Sequence, residues 1–224
     1  MHVEALFVHD STDQLLRINV PNGGPAPRFF LGHTENGVIR RYRHDVSLAL
    51  RHELAALSAS DRLGDPRADA PLDVTPFTAL LGPVAPVANA SAGLAFRFPA
   101  SLAPGRDTQR LRDVQDVRVL HPFLPKWVPD IEDSQPLIVR IIGGRAVAVC
   151  GSVRITPAAH EAGVETAAPF RGIGHAVAVV ATWAIAVRER GAEPLYSTSW
   201  QNSASRAVAR KLALVPIGRD LHVT

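Results

Sequence analysis

The chain has 224 residues, 46% of them hydrophobic and 20% charged, which supplies one well-buried core and argues against disorder along the whole length. The formal net charge is only +3, carried almost entirely by arginines in short pairs such as Arg40-Arg41, so nothing marks a nucleic-acid surface. Cys150 is the only cysteine, which excludes an intramolecular disulfide and a cysteine-based zinc site and leads us to expect a reducing, cytoplasmic setting.

The opening stretch "MHVEALFVHDSTDQ" has no basic segment followed by an apolar block, so no secretory leader is expected. "RFFLGHTENGVIRRYR" suits two strands around Glu35-Asn36-Gly37, since Asn-Gly favours a hairpin turn. "HDVSLALRHELAALSAS" places Val46, Leu48, Leu50, Leu54 and Leu57 at roughly helical spacing, with Asp45 near the start to suit the helix dipole. Residues 60 to 105 are rich in Pro, Ala, Asp and Gly and suggest loops with short elements, or a linker. We therefore expect an N-terminal segment over 1–90, of unassigned role, and a core over 91–224. The first segment could complete the fold, shape an acceptor pocket or mediate a homodimer.

In the core, "GLAFRFP" suits a strand and "DTQRLRDVQDVRVL" a helix capped by Asp107 or Thr108. "PLIVRIIGGRAVAVCGSVRI" predicts a strand, a Gly143-Gly144 turn and a second strand, and His160 to Thr166 a third. A long apolar helix follows, then a strand at "PLYSTSW", a helix at "NSASRAVARKLAL" led by Asn202 or Ser203, and a terminal strand at "LVPIGRDLHV". The apolar run Ile173 to Val187 is shorter than the roughly 20 residues a bilayer core requires, so it predicts a buried helix and no membrane partner. The order predicts a mixed α/β sheet with flanking helices.

The turn "RGIGH" stands between the third of these strands and the apolar helix. Unpaired N–H groups and partial positive charge at a helix N-terminus, with glycines that allow close approach, suit a phosphate or diphosphate. No Lys-Ser/Thr pair follows, so this is not a P-loop, and Val177 breaks the GxGxxG dinucleotide fingerprint. "TAAPFRGIGHA" resembles the acyl-CoA signature of the GNAT acetyltransferase superfamily, R/Q-x-x-G-x-G/A, with Arg171, Gly174 and Ala176 at its fixed positions. "WQNSASRAVARKLAL" is similar to the family's final Asn-led helix, through Asn202, Ser205, Lys211, Leu212 and Leu214. The resemblance covers roughly residues 90 to 224.

It implies a GNAT-like α/β fold, with a mixed central sheet and a cleft where the family's fourth and fifth strands splay apart. Those strands would be the one ending at Thr166 and the one beginning near Pro194. It further implies acetyl-CoA as co-substrate, held by Val164, Glu165 and Thr166 along the strand, by Arg171, Gly172, Ile173, Gly174, His175 and Ala176 at the loop, and by Asn202 and Ser205. Acetyl would pass directly to an amine of a small molecule or peptide. An ammonium with an ordinary pKa near 10.4 must first lose a proton. Glu161, Glu165 or His160 could take it. An unbroken strand puts both glutamates on one face and His160 on the other, unless a bulge intervenes. The family's usual acid, a tyrosine in the last helix, is Ala209 here, which leaves Tyr196, Ser197 or Ser199 to protonate the thiolate. Ala213 stands where the family usually has glycine. His175 is expected to face solvent or the phosphates, and Cys150 to be a small buried hydrophobe. Residues 121 to 136, with Trp127 and the acidic set Asp130, Glu132 and Asp133, correspond to a segment that walls the acceptor site. The alternative is a non-catalytic acyl-CoA-binding module with a sensing or structural role.

Overall fold

The computed structural model describes residues 1–224, the side chains of Ser60 and Val114 aside. In chain order the elements are α1 (His2–Leu6), β1 (Phe7–His9), β2 (Leu15–Ile18), β3 (Phe29–Thr34), β4 (Gly37–Tyr42), α2 (Leu48–Leu57), α3 (Ser60–Leu63), α4 (Thr75–Leu81) and β5 (Ala90–Arg97). Then come β6 (Thr108–Leu111), β7 (Leu137–Ile142), β8 (Arg145–Ile155), β9 (Ala159–Thr166), α5 (His175–Arg188), β10 (Glu193–Ser199), α6 (Ser203–Lys211) and β11 (Val215–Val223). The chain divides into two compact units.

One unit comprises His2–Arg97, Ser197–Arg206 and Val215–Thr224. Its main sheet has the order β4-β3-β11-β5, with every neighbouring pair antiparallel. The expected hairpin is present: Thr34 pairs with Gly37 across a two-residue turn, and Gly37 has φ +119°. Helix α2 is capped by Ser47, whose side chain accepts from the Leu50 N–H. Asp45 lies outside the helix and pairs instead with the Arg43 guanidinium at 2.8 Å. Leu50 and Leu54 on α2 join Phe77 and Leu81 on α4 in a core with Phe29, Leu31, Leu221 and Val223 of the sheet. The Pro- and Ala-rich stretch as far as Pro86 is tied to this unit. The buried Arg219 guanidinium on β11 donates to the carbonyls of Leu63, Asp65 and Ala70, and buried Arg28 donates to those of Leu81 and Pro86. Both cations thus supply donors that loop carbonyls would otherwise lack.

The other unit comprises Phe98–Tyr196 and Ala207–Leu214. Its strands run in the order β10-β9-β8-β7-β6, antiparallel except for the parallel pair β9/β10. One expected element is different. Residues 107–120 do not form a helix: Asp107 has φ +55°, Thr108–Leu111 pair with Leu137–Arg140 as β6, and a short 3₁₀ segment follows behind an Asp113 cap. Leu111 at the end of β6 and Leu120 just after the 3₁₀ segment both reach one core.

Helix α5 packs on β7, β8 and β9 with Val179, Val180, Trp183, Ala184 and Val187 buried. On its other flank Gly105 sits so close that an added Cβ would lie 2.3 Å from the Ala178 carbonyl oxygen, and its N–H donates to the Thr182 hydroxyl. The Arg188 guanidinium closes the last turn by donating to the carbonyls of Phe98, Pro99 and Ala100. After α6, the Ala213 N–H donates to the Arg210 carbonyl and the Leu214 N–H to that of Ala209, the pattern of a Schellman cap. The capping position, where the resemblance expects glycine, is Ala213 at φ +51°. Removing its Cβ relieves left-handed strain, so Ala213→Gly is expected to raise the unfolding free energy by about 1 kcal/mol. Urea denaturation checks this, and a destabilised variant would contradict it.

Candidate functional site

β9, the glycine loop, α5 and β10 as far as Tyr196 belong to the Phe98–Tyr196 unit. Strand β10 runs in register with β9 only from Glu193↔Ala159 to Leu195↔Glu161, while β9 continues to Thr166. Over Ala162–Thr166 strand β9 stays paired with β8. Glu161 thus marks the point where the two parallel strands part. Val164, Glu165 and Thr166 lie beyond it, opposite Cys150, Val149 and Ala148.

A short 3₁₀ turn, Ala168–Phe170, leads from β9 into the glycine loop. Gly172 and Gly174 have φ +84° and +93°, conformations that L side chains rarely adopt. Gly174 is the N-cap of α5 and offers no capping side chain. A Cβ built on either glycine meets no atom within 4 Å, so the main chain here is open to an approaching group. Among the described residues the N–H groups of Gly172, Ile173 and Gly174 have no main-chain partner, and those of the first helical turn point the same way by geometry. Arg171 folds back so that its Nε donates to the Thr166 carbonyl at 3.0 Å, and its side chain stays exposed. Ile173 projects outward at the tip. The set fits a diphosphate: donors, partial positive charge and no side chain in the way.

His175 departs from expectation. It turns inward, 5% exposed, beside Phe170 at 6.2 Å between ring centroids. Burial, aided by the nearby Arg140 charge, lowers its pKa and keeps the ring neutral near pH 7. Its aromatic neighbours continue through Phe170 to Phe123, and the Arg145 guanidinium lies over the Phe123 ring. This packing, on top of a largely apolar helix, holds the loop.

The two faces of β9 carry different chemistry. On the α5 face the Trp183 indole N–H donates to the Ser152 hydroxyl, which in turn lies 2.8 Å from His160 Nδ1. With Trp183 donating to its oxygen, the serine O–H is available to the imidazole. Burial and the Arg190 charge depress the His160 pKa. His160 therefore serves the packing of α5 on the sheet. The opposite face carries Glu161 and Glu165 together. A bulge does occur, between Ser152 and Arg154, but on β8, so β9 keeps its alternation. The bulge sets Arg154 opposite Glu161. Arg154 is largely buried; burial lowers its pKa and the Glu161 carboxylate acts against that shift. Glu161 is only 1% exposed, whereas Glu165 is half-buried and accepts from the Trp127 indole N–H at 2.9 Å.

From the 121–136 segment, Trp127 reaches Glu165 on this face. Asp130, Glu132 and Asp133 of that segment are exposed. Tyr196, one residue past the shared register, is buried with its ring edge-on to Phe98 at 6.4 Å. Cys150 is fully buried, and burial pushes its thiol pKa well up, so it is an inert core side chain. Asn202 and Ser205 belong to the other unit, where Asn202 Oδ1 caps α6 by accepting from the Ser205 N–H. Trp200 there lies under the Arg206 guanidinium at 4.4 Å. Ser197 is half-buried and Ser199 exposed, both on β10. Sequence reasoning passed over Arg154, which only the bulge brings to Glu161. It also passed over Gly151 and Gly163, although a glycine inside a strand signals close approach.

A solved GNAT-family acetyltransferase from Colwellia psychrerythraea superposes with a TM-score of 0.52 at 15% identity, over 91% of this chain and 82% of that one. The chain has the GNAT fold. A GNAT-family protein from Novosphingobium aromaticivorans gives a TM-score of 0.49 at 17% identity, over 61% of this chain. An N-acetyltransferase-like protein from Streptococcus suis gives 0.48 at 16% identity, over 67%. The chain spans only 65% and 67% of the lengths of those two GNAT proteins. No protein-family model and no curated protein matches the sequence. The order found here, β9, the glycine loop, α5 and β10, with β9 and β10 parting at Glu161, is the order of elements expected from the sequence. No helix among the described residues is long and apolar enough to cross a membrane.

Proposed function

We propose that the protein is an acyl-CoA-dependent N-acetyltransferase that moves acetyl from acetyl-CoA directly to an amine. The observation that carries this reading is the open glycine turn at the N-terminus of α5, adjoining a strand whose parallel partner leaves it at Glu161. In this reading the N–H groups of Gly172 to Ala176 hold the diphosphate, with Arg171 adding positive charge. The β10-side edge of Val164–Thr166 pairs with the pantetheine arm. The thioester supplies an already activated acyl carbon, so holding it beside the amine provides much of the acceleration.

Glu161 is the proposed base. It stands where the strands part, sealed from bulk water and opposite Arg154, which stabilises its charged form. Its carboxylate takes the ammonium proton and leaves a neutral nitrogen to attack. Tyr196, the first β10 residue beyond the shared register, is the proposed donor to the departing thiolate. The single cysteine, free and buried, suits a cytoplasmic location.

Calorimetry with acetyl-CoA and a thiol-release assay test the proposal. The amine panel is spermidine, an aminoglycoside, L-phenylalanine, hexylamine and an alanine-initiated hexapeptide. Binding together with turnover of a panel amine is the expected result. Binding without turnover above hydrolysis favours the non-catalytic acyl-CoA-binding module, which the alanine at position 209 makes the second reading. Absence of binding rejects both. Glu161→Gln is expected to lower the rate by about 100-fold near neutral pH, within the range of general-base effects. The loss narrows as pH rises toward the amine's own pKa, where the free base no longer depends on the enzyme. An unchanged pH–rate profile removes Glu161 from this role.

A further inference from the structure

The Trp127–Glu165 pair is built with more care than a chance surface contact. Gly151 on β8 and Gly163 on β9 are register partners, so their missing side chains leave one shared depression on the face that carries Glu161 and Glu165. The indole of Trp127 lies in it. A Cβ at Gly151 would stand 2.9 Å from the ring's Cζ3, and one at Gly163 would stand 3.2 Å from its Cη2. Val153, the extra residue of the bulge, closes the other side, with its Cγ1 where a Gly163 side chain would begin. Trp127 is itself held from behind. It ends the 3₁₀ turn Pro125–Trp127, its N–H donates to the Leu124 carbonyl, and Leu124 and Ile131 are buried in the core against which it packs. The ring therefore has little freedom, and its Nε1–H is directed at Glu165 Oε2. Oε1 has no hydrogen-bond partner among the described residues, and the carboxylate is half-buried.

Glu161 and Glu165 share this face four residues apart, roughly 13 Å along an extended strand at 3.3 Å per residue. Glu161 is sealed and faces Arg154, whereas Glu165 has no cation opposite it, Val149 being its register partner. We propose that Glu165, fixed in place by Trp127, receives a second cationic nitrogen of the acceptor, so that the preferred substrates are amines carrying at least two positive charges. Trp127 is a positioning residue in this scheme and touches no reacting atom. This rests on the acetyltransferase reading above, with Glu161 at the reacting nitrogen. A carboxylate that has lost part of its water shell and keeps one oxygen free gains most from a cation and least from an apolar chain.

The test compares wild type, Trp127→Phe, Glu165→Gln and the double variant, with spermidine and hexylamine as acceptors. Indole ¹H–¹⁵N spectra supply a readout independent of turnover. Wild type should prefer spermidine by tenfold or more in kcat/KM. Glu165→Gln should remove that preference by raising the spermidine KM, so that the ratio of the spermidine to the hexylamine kcat/KM falls to about one. Trp127→Phe keeps an aromatic ring but loses the N–H donor together with part of the indole's volume. It should raise the spermidine KM about tenfold with little change in kcat, and add nothing in the Glu165→Gln background. The Trp127 indole resonance should move in Glu165→Gln while those of Trp183 and Trp200 stay. A stationary indole resonance, an equal preference for hexylamine in wild type, or additive effects in the double variant each overturn the proposal. Wild type that binds acetyl-CoA and acetylates no amine overturns the reading beneath it. That outcome is distinct from an active enzyme indifferent to Trp127 and Glu165.

Discussion

Gly174→Glu is expected to abolish measurable acetyl-CoA binding, a loss of at least 100-fold and therefore of about 2.7 kcal/mol or more. Two effects combine. Gly174 holds φ +93° at the N-cap of α5, and a side chain there costs about 1–2 kcal/mol of left-handed strain. The carboxylate then places negative charge where the unpaired N–H groups would meet a diphosphate. The same charge sits well against the helix dipole, so α5 itself should persist, which circular dichroism checks. Gly174→Ala separates the terms. It carries the strain without the charge and should weaken binding about tenfold, consistent with roughly 1.4 kcal/mol. A folded Gly174→Glu protein with wild-type affinity would show that the coenzyme does not sit at this helix end.

Trp183→Ala should be the most destabilising single change in the Phe98–Tyr196 unit. The side chain is fully buried between the sheet and Phe98, 6.0 Å away between ring centroids, and its indole N–H satisfies Ser152. Truncation removes that apolar area, opens a cavity and loosens the Ser152–His160 contact, for a cost of about 3–5 kcal/mol. Trp183→Phe keeps most of the packing and loses chiefly the hydrogen bond, so it should cost about 1–2 kcal/mol. Chemical denaturation measures both. A Trp183→Ala loss below that of Trp183→Phe would contradict the account. The Ser152–His160 geometry belongs to the same measurement: it is part of the attachment of α5, and α5 carries the glycine loop.

The local features were legible because their causes are local. Asn36-Gly37 specifies a tight turn by backbone preference, Gly143-Gly144 does the same, and the apolar run ending at Val187 predicts a buried helix, which begins at His175. The residues 107–120 misled because Asp107 and Thr108 resemble the cap of a following helix. What forms instead depends on β7, which offers Thr108–Leu111 a partner strand from 26 or more residues away. Asp45 near the start of α2 was expected to suit the helix dipole, yet Arg43 holds it outside the helix and Ser47 does the capping. Competition between two such partners is settled in space.

For the candidate site the division falls along the same line. Order along the chain was enough to set a glycine turn before an apolar helix and to put glutamates four apart on a strand, since periodicity and turn chemistry act within a few residues; the GNAT fold was suggested by the resemblance at Arg171, Gly174 and Ala176. Folding in three dimensions alone could part β10 from β9 at Glu161, insert the bulge that brings Arg154 across from it, turn His175 inward, and lay Trp127 on two glycines so that it reaches Glu165. Each of these depends on pairing register or side-chain packing between segments distant in sequence, where free energy is decided by contacts that no short window of residues contains.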